Sequence, residues 1–386
     1  MAIQTRIDKI TRHRLLRLCH CEAKGHGNRK DAKGFVRCLF FPLFFGLFFA
    51  LSSGAVLAQD DSSIAAPAHL PNAPDEEAER LLKRMATAMQ TTNYEGLLLH
   101  MRGGEARSLR VFHRYDPTHG EREHLLSLDG KPFEVIQDSK GCTCVWPHAR
   151  YVVVGQSSAL NGRLSAERFA QTRSLSEFYR IERQDYARVG GMACRLVQLA
   201  PKDAYRFSYR LCIHEPSAML LNLEVFDGER RLELSQFTEL RVQKDNDADD
   251  MRIFTNTDGF RMVEDKSAES ADTQDGSAQA RWMATQLPPG YVLRSVDLRT
   301  NPHTQKPLEH FIFFDGLGSV SIFIERLDAT EPSLLDDKTK SKTRGVMQKV
   351  VRMAGDYRMT AIGDAPEVAM RMMLDGMQPV AAQAKN

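Results

Sequence analysis

Two short clusters in this sequence combine residue types that bind metals or phosphates. In the first, Cys142, Cys144 and His148 place two thiols and an imidazole close together. Both sulfurs would point to one face of a strand, but a structural zinc site needs four converging ligands and no fourth is evident. The cysteines are therefore interpreted as buried thiols or disulfide partners, and no metal site is predicted.

The second cluster is the glycine pair in the sequence DGLG, Asp315 to Gly318. A dinucleotide-binding loop would need a third glycine and a helix after it. The following residues, SVSIFIE, are β-branched and aromatic and are typical of a strand. Asp315-Gly316 is therefore predicted to be the turn of a β-hairpin rather than a phosphate-binding loop.

Signatures of catalysis are missing from the rest of the sequence. After residue 58 it has no G-x-S-x-G, H-E-x-x-H or S-x-x-K motif and no Walker loop. His100, His113 and His124 occur in strand patterns beside arginines and are predicted to lie on a polar sheet face, where they could titrate in acid. We expect a protein that is not an enzyme and needs no cofactor.

The elements that would position these residues begin with an amphipathic helix. Apolar residues recur at three- and four-residue spacings from Ala78 to Met89, and Asp75, Glu76 and Glu77 precede them. From Tyr94 the period changes to two, and glycine-containing turns recur. Residues 94–242 are predicted to form a long antiparallel meander, with one helical segment near 165–181.

The composition changes after this meander. Residues 244–280 are largely acidic and rich in small side chains, and we interpret them as an interdomain linker, within which IFTNTDGFRMV, residues 253–263, could be ordered. A smaller α+β unit follows at 281–378. Its predicted strands are 291–300, 309–315, 319–327 and 357–363, and its predicted helices are 344–353 and 366–377, the second capped by Asp364.

The N-terminal residues have the pattern of an export signal. Basic residues precede the apolar run CLFFPLFFGLFFAL, and small residues end at Ala58, so residues 1–58 are predicted to be a signal peptide cleaved after Ala58. The whole chain has a net charge of +2. Residues 1–58 hold 10 Lys/Arg and 3 Asp/Glu, which leaves 42 against 47 and a net charge of −5 in the remainder. This mildly acidic remainder gives no electrostatic reason to expect nucleic-acid binding.

Four cysteines remain after the predicted cleavage site, in a compartment where disulfides persist. Cys194 and Cys212 lie at equal distances from the polar turn at Lys202-Asp203, so a hairpin would place them opposite each other. A disulfide between them is predicted, although a shift of one residue in register would separate the thiols.

Five separated segments of this sequence form a recognisable set: NYEGLLLHMRGGEARSLRVFHRYD, EREHLLSLDGKPFEVIQD, PKDAYRFSYRLCIHEPSAMLL, LPPGYVL and EHFIFFDGLGSVSIFIERL. Together, and in this order, they resemble the MucB/RseB family of periplasmic regulators of the envelope-stress sigma factor. The resemblance covers about residues 75–376. It implies a mainly β fold with α+β character: a large antiparallel LolA/LolB-like half-barrel at 75–243 with covering helices, followed by the smaller C-terminal α+β domain.

The resemblance also implies a function by binding. Family members bind the periplasmic part of a MucA/RseA-type transmembrane anti-sigma factor, protect it from regulated proteolysis, and respond to misrouted lipopolysaccharide or lipoprotein. Homo-oligomers are a further family expectation. If the half-barrel binds acyl chains, its apolar cavity is predicted to be lined by Leu97, Leu99, Val111, Leu126, Val135 and Val145.

The C-terminal domain is expected to dock the partner. Its predicted docking residues are Phe311, Phe313, Asp315, Gly316 and Phe323, with the three phenylalanines on one face of the hairpin. A periplasmic lipid or lipoprotein carrier is the alternative function. The second domain and the acidic linker favour the regulator, because a carrier needs only the half-barrel.

Overall fold

The structure is a computed structural model, and it describes residues 75–138, 141–155, 169, 172–243, 251–265, 280–301, 305–327 and 341–380. The predicted signal peptide, its cleavage site and residues 59–74 lie outside these ranges. Within them, no helix combines the length and the apolar character needed to cross a membrane.

The first element is helix α1, Glu76–Thr91, which confirms the predicted amphipathic helix. Asp75 caps it by accepting a hydrogen bond from the Ala78 backbone N–H at 3.1 Å, and three glutamates in the first turn favour the helix dipole. The apolar stripe is buried; its members are Ala78, Leu81, Leu82, Met85, Ala86 and Met89.

A twelve-stranded sheet follows. It confirms the predicted antiparallel hairpins but arranges them as two runs rather than one meander, because the first and last strands of the predicted range pair with each other. Its strands are β1 Tyr94–Arg102, β2 Glu105–Asp116, β3 Gly120–Ser127, β4 Glu134–Gln137, β5 Cys142–Trp146, β6 Tyr151–Gly155, β7 Tyr179–Val189, β8 Met192–Pro201, β9 Ser208–His214, β10 Met219–Asp227, β11 Arg230–Val242 and β12 Arg261–Asp265. The spatial order is β12-β6-β5-β4-β3-β2-β1-β11-β10-β9-β8-β7. All neighbours are antiparallel except β12 and β6, which run parallel.

This sheet curls back on itself, as a half-barrel requires. A Cβ added to Gly190, in the turn between β7 and β8, would lie 3.0 Å from the carbonyl oxygen of Phe237 in β11. Helix α1 contacts β2, β7 and β10 and so covers the inner face of the curl. The apolar stripe of α1 packs there against residues such as Leu98, Leu109 and Val111, which form the main core.

Two elements modify the predicted organisation of this sheet. Helix α2, Thr172–Phe178, lies within the predicted helical segment 165–181 and contacts β7 and α1. Strand β12 lies within the segment predicted to be a linker. Its sequence RMVED is short and has charged residues at both ends, so it gives no clear strand pattern. In the structure it nevertheless pairs with β6 through its backbone.

The C-terminal part forms a second, six-stranded sheet. Its strands are β14 Val292–Thr300, β15 Pro307–Phe314, β16 Ser319–Arg326, β17 Ser341–Arg344, β18 Met347–Ala354 and β19 Tyr357–Gly363, in the order β14-β15-β16-β19-β18-β17. Strands β13 Trp282–Ala284 and β20 Met377–Pro379 form a separate pair. Helix α3, Glu367–Gly376, packs on this sheet and confirms the second predicted C-terminal helix.

Two C-terminal predictions are wrong. Residues 344–353, predicted to be a helix, form the β17–β18 hairpin, with Gly345 at φ 61° in its turn. The four-residue spacing of Val346 and Val350 fits both the helical period of 3.6 and the strand period of 2. The β-branched residues of the segment favour the strand. Asp364 does not cap α3, because Pro366 is the N-cap residue and no side chain caps the helix.

Candidate functional site

The two sheets meet at a junction built around one buried arginine. Arg206 follows β8, and its guanidinium has no solvent exposure. It pairs with the carboxylates of Asp203 and of Asp315, the latter at 3.2 Å from Nε, and it donates to the Pro289 carbonyl oxygen. Its planar group lies 4.2 Å from the centre of the Phe178 ring. One cation from the first domain thus binds two segments of the second.

The hairpin between β15 and β16 supplies the C-terminal side of this junction. We call residues 315–318 the tip. Asp315 Oδ1 accepts hydrogen bonds from the backbone N–H groups of Leu317 and Gly318, at 2.9 and 2.7 Å, which fixes the turn. The predicted hairpin turn at Asp315-Gly316 is confirmed, and Gly316 has a φ of 104°. The other oxygen of Asp315 is left to face Arg206.

The segment LPPGYVL forms the floor of the junction. Gly290 has a φ of 80°, and an added Cβ would lie 2.5 Å from the Phe178 ring and 2.6 Å from an Arg206 nitrogen. Only glycine lets this backbone pass so close to the guanidinium. The next residue, Tyr291, donates its hydroxyl to the Tyr205 carbonyl oxygen at 3.2 Å. Tyr205 in turn packs against the C-terminal core.

The electrostatics of the junction reflect its burial. Desolvation raises the pKa of Asp315, and the hydrogen bonds from Gly318 and Leu317 and the attraction of Arg206 do not fully offset it. Desolvation likewise raises the pKa of Tyr291 well above its ordinary value, and the nearby Asp315 adds to this effect. Ionised Asp315 is therefore less stable at the junction than in water.

The predicted docking residues are mostly internal. Phe311 and Phe313 are buried in the core between the C-terminal sheet and α3. Phe323 does not share their face: it lies opposite His310 in the β15–β16 ladder and stacks on that ring at 4.3 Å. The turn between Phe314 and Ser319 has an even number of residues, so odd-numbered positions of β15 share a face with even-numbered positions of β16, and Phe323 falls on the opposite face from Phe311 and Phe313.

The six predicted cavity residues do not line one surface. Val111 and Val135 lie on the inner face, because both align with Leu125 across β3. Four others lie on the outer face: Leu97, Leu99, Leu126 and Val145. In β1 the inner leucine is Leu98, which is buried in the main core, and a bulge interrupts the pairing next to it. Three consecutive leucines do not show which of their side chains point inward, and this is why the prediction was wrong for β1.

A second polar cluster holds the segment before β12, residues 251–260, which we call the strap. The Glu134 carboxylate accepts hydrogen bonds from the backbone N–H groups of Phe254 and Thr255, at 2.6 and 3.0 Å, and bonds to His124 Nε2 at 2.8 Å. Arg150 donates to the carbonyl oxygens of the strap near its C-terminal end. The predicted linker is thus bound to the outer face over part of its length.

Burial alone would raise the pKa of Glu134. The hydrogen bonds from His124, Thr255 and Phe254 outweigh this effect and lower the pKa from 4.5 to about 2. The carboxylate therefore stays ionised over the whole physiological range, and the strap remains bound to it.

The histidine prediction is wrong. His100 and His113 are buried on the inner face, and His124 is buried on the outer face beneath the strap. His100 bonds to Ser235 at 2.9 Å, and His113 bonds to the Thr92 carbonyl at 2.9 Å. Protein groups on neighbouring strands and segments bond to these rings, and a single sequence does not reveal such partners.

The cysteines fall into two buried groups. Cys194 in β8 and Cys212 in β9 form a disulfide with a Cα–Cα distance of 5.4 Å. Cys212 lies opposite Leu196, so the bridge is diagonal rather than directly across the hairpin. Cys142 and Cys144 are buried on one face of β5 in a small cluster with aromatic residues, whereas His148 is exposed.

Sequence reasoning assigned no role to Arg206, Tyr291 and Gly290. The segments that contain them, PKDAYRFSYR and LPPGYVL, were informative only as parts of the family resemblance. An arginine set among aromatic residues is the available local signal, because a guanidinium stacks well on rings. Its carboxylate partner in the second domain, Asp315, lies more than a hundred residues away in sequence and carries no such signal.

Comparison with known families gives matches over most of the chain. The model of the MucB/RseB N-terminal domain matches residues 77–255, and that of the MucB/RseB C-terminal domain matches residues 276–378. The first range ends within the strap, just before β12, and the second begins shortly before β13.

Similar individual proteins span nearly the same range. The sigma factor AlgU regulatory protein MucB of Pseudomonas aeruginosa is 24% identical and aligns over 80% of this chain and 93% of its own length. The sigma-E factor regulatory protein RseB of Haemophilus influenzae is 26% identical over 83% and 93%. A solved Pseudomonas aeruginosa MucA/MucB complex superposes with a TM-score of 0.61 at 22% identity, over 79% of this chain and all of that chain.

Proposed function

We propose that this chain, which belongs to the MucB/RseB family, is a periplasmic negative regulator of an envelope-stress sigma factor. It binds the periplasmic part of a transmembrane anti-sigma factor of the MucA/RseA type and protects that part from regulated proteolysis. Lipid or lipoprotein signals release it. It reaches the periplasm by means of the signal peptide at residues 1–58.

The observation that carries this proposal is the presence of both family domains, in order, in one chain. Relatives that align with this chain over 93% of their own length are named as sigma-factor regulators, and MucB has been crystallised in complex with MucA(peri). A regulator that acts by shielding a segment needs a surface that binds that segment, and it does not need a catalytic nucleophile. Two buried polar clusters, around Arg206 and Glu134, hold protein segments in place.

The test is a reconstituted cleavage reaction. Residues 59–386 are mixed with the purified periplasmic segment of the anti-sigma factor and with the protease that makes the first regulated cut. Cleavage should slow as the regulator is added, with half-maximal protection at the concentration that half-saturates binding in a separate titration. A reduced and denatured sample of the same chain is the control. Unchanged cleavage, together with no binding, would refute the proposal.

A periplasmic carrier of lipid or lipoprotein is the second candidate, and the curled sheet with α1 across its inner face favours it. A carrier must pass its cargo on to an acceptor. Transfer of a labelled acyl chain to acceptor vesicles without protection of the anti-sigma segment would establish the carrier instead. Protection without transfer would establish the regulator.

A further inference from the structure

The tip of the C-terminal hairpin is buried inside the first domain. Leu317 is only 3% exposed, and it belongs to the main core of the first domain rather than to the core of its own sheet. The same cluster contains Leu175 of α2, whose methyl carbon lies 3.5 Å from the position of a Cβ on Gly316. A loop that usually points to solvent here fills part of the interior of the curled sheet.

The chemistry of the tip has two parts. Asp315 presents one carboxylate oxygen to Arg206, at 3.2 Å from Nε, while its other oxygen stays within the turn. Leu317 presents an apolar side chain to the main core of the first domain. A negative group on a buried arginine followed by an aliphatic group in an apolar core is also the arrangement by which a protein would bind an anionic amphiphile.

We propose that the tip, residues 315–318, is an internal plug that occupies the place where the first domain binds an anionic amphiphile. The head group of the ligand pairs with Arg206 in place of Asp315, and its acyl chain enters the core in place of Leu317. Ligand entry and withdrawal of the tip are then one event. This inference rests on the lipid response in the proposed function and names the site and the device for it.

Withdrawal of the tip moves the whole C-terminal sheet. Strand β16 is paired with β19, and β19 with β18, so the second hairpin turn at Gly345-Val346 moves with the tip. That turn also lies against the first domain: Val346 belongs to the same main core, and a Cβ on Gly345 would lie 2.4 Å from Arg102. The ligand therefore changes the relation between the two sheets.

The plug is held mainly by apolar burial and can be released. Because its pKa is raised at the junction, Asp315 favours docking fully only below pH 3.8, and that contribution is lost as the pH rises through the raised pKa. At neutral pH the charge of Asp315 opposes docking, and Leu317 and Val346 oppose withdrawal.

The first experiment measures how the plug competes with a ligand. Dodecyl phosphate, kept below its micelle concentration, is titrated into residues 59–386 by calorimetry at pH 7. The apparent affinity equals the intrinsic affinity multiplied by the fraction of molecules whose tip is withdrawn. Leu317→Ala removes the main apolar contact of the tip. Replacing a buried leucine with alanine should shift the equilibrium between inserted and withdrawn tip by at least ~10-fold toward the withdrawn state. The variant should therefore bind dodecyl phosphate at least ~10-fold more tightly than the wild type.

The matched control is Ile324→Ala, in the same hairpin. Ile324 is 2% exposed in the C-terminal core, so this variant loses a comparable side chain but leaves the tip intact. It should bind dodecyl phosphate as the wild type does. Equal affinity of Leu317→Ala and wild type, or equal tightening in both variants, would overturn the proposal.

The second experiment tests the head group. Wild type should prefer dodecyl phosphate to uncharged dodecyl maltoside, and Arg206→Met should abolish that preference. A preference that survives in Arg206→Met would overturn the assignment of the head group.

Small-angle scattering of the wild type gives a measurement that needs no variant. Saturating dodecyl phosphate should increase the radius of gyration, and an unchanged radius would refute withdrawal of the tip.

These outcomes separate the plug from the proposed function. Protection of the anti-sigma segment in the cleavage reaction depends on no amphiphile. A chain that protects the segment but shows no effect of Leu317→Ala refutes the plug alone. A chain that binds dodecyl phosphate with the expected variant pattern but fails to protect the segment refutes the regulator.

Discussion

The Glu134 carboxylate gives a quantitative prediction. The change is Glu134→Gln, which keeps the shape of the side chain, removes its charge and replaces one acceptor oxygen with a donor. Glu134 is 2% exposed and accepts from two backbone N–H groups of the strap and from His124. A pKa lowered from 4.5 to about 2 corresponds to about 3 kcal/mol of folding free energy at neutral pH.

The sign of the pH dependence follows from the direction of the shift. The folded pKa is depressed, so the contribution of Glu134 is fully present above pH 4.5 and is lost as the pH falls through about 2. Glu134→Gln should therefore lower the free energy of unfolding by about 3 kcal/mol at pH 7. The difference from wild type should be less than half as large at about pH 3 and should vanish near pH 2.

The assay is urea unfolding followed by the fluorescence of Trp146, which lies in β5, two strands from β3 and next to β4. The chain has only two tryptophans, so a Trp282→Phe background leaves Trp146 as the single reporter. Glu121→Gln is the control, because Glu121 also pairs with a histidine but is 46% exposed and should contribute under about 1 kcal/mol. Equal stability of Glu134→Gln and wild type at pH 7, or a difference that persists at pH 2, would refute the reasoning.

Three further sets of substitutions test other parts of the structure. Replacing Cys194 and Cys212 with serine opens a loop of 18 residues and should cost about 3 kcal/mol in urea unfolding, a loss that reductant should reproduce in the wild type. Gly290→Ala should destabilise the junction by more than about 1 kcal/mol, measured as a lower melting temperature, because a Cβ has no room beside the guanidinium. Leu98→Ala should cost about 3 kcal/mol and Leu97→Ala under about 1, and equal losses would contradict the assigned faces.

The hairpins between consecutive strands were readable in the sequence because glycine turns mark where strands end, whereas the pairing of β1 with β11 was not. Gly103-Gly104, Gly190-Gly191 and Gly228 have positive φ values, and each lies between consecutive antiparallel strands. These turns depend only on neighbouring residues, so local chemistry determines them.

The faces of the strands were much less readable. Both faces of β1 carry apolar side chains, since Leu98 packs under α1 while Leu97 and Leu99 are half-buried on the other side. The outer face of β3 and β4 is also covered, by the strap, which buries His124 and Glu134. When both faces of a sheet are covered, alternation no longer distinguishes the core face from the solvent face.

The candidate site was the least readable part, because it depends on contacts between distant segments. Asp315 was predicted to be in a turn, and it is, but its charge lies beside Arg206 only because the second sheet packs against the first. The same glycine-rich tip that looks like a phosphate loop in the sequence is, in the structure, a group that binds a cation. Its backbone N–H groups are used by its own carboxylate, so an anion is not what it binds.

The junction and the strap use carboxylates in different ways, and this difference bears on function. Glu134 gains more from its hydrogen bonds than it loses by burial, so it holds the strap at every physiological pH. Asp315 loses more by burial than it gains, so its contact with Arg206 is the weaker attachment. Under the proposed function the chain releases its partner on a signal, which requires one rigid attachment and one that yields. The strap fixes the connection to the second domain to the first sheet, and the tip is the attachment that we propose an anionic ligand replaces.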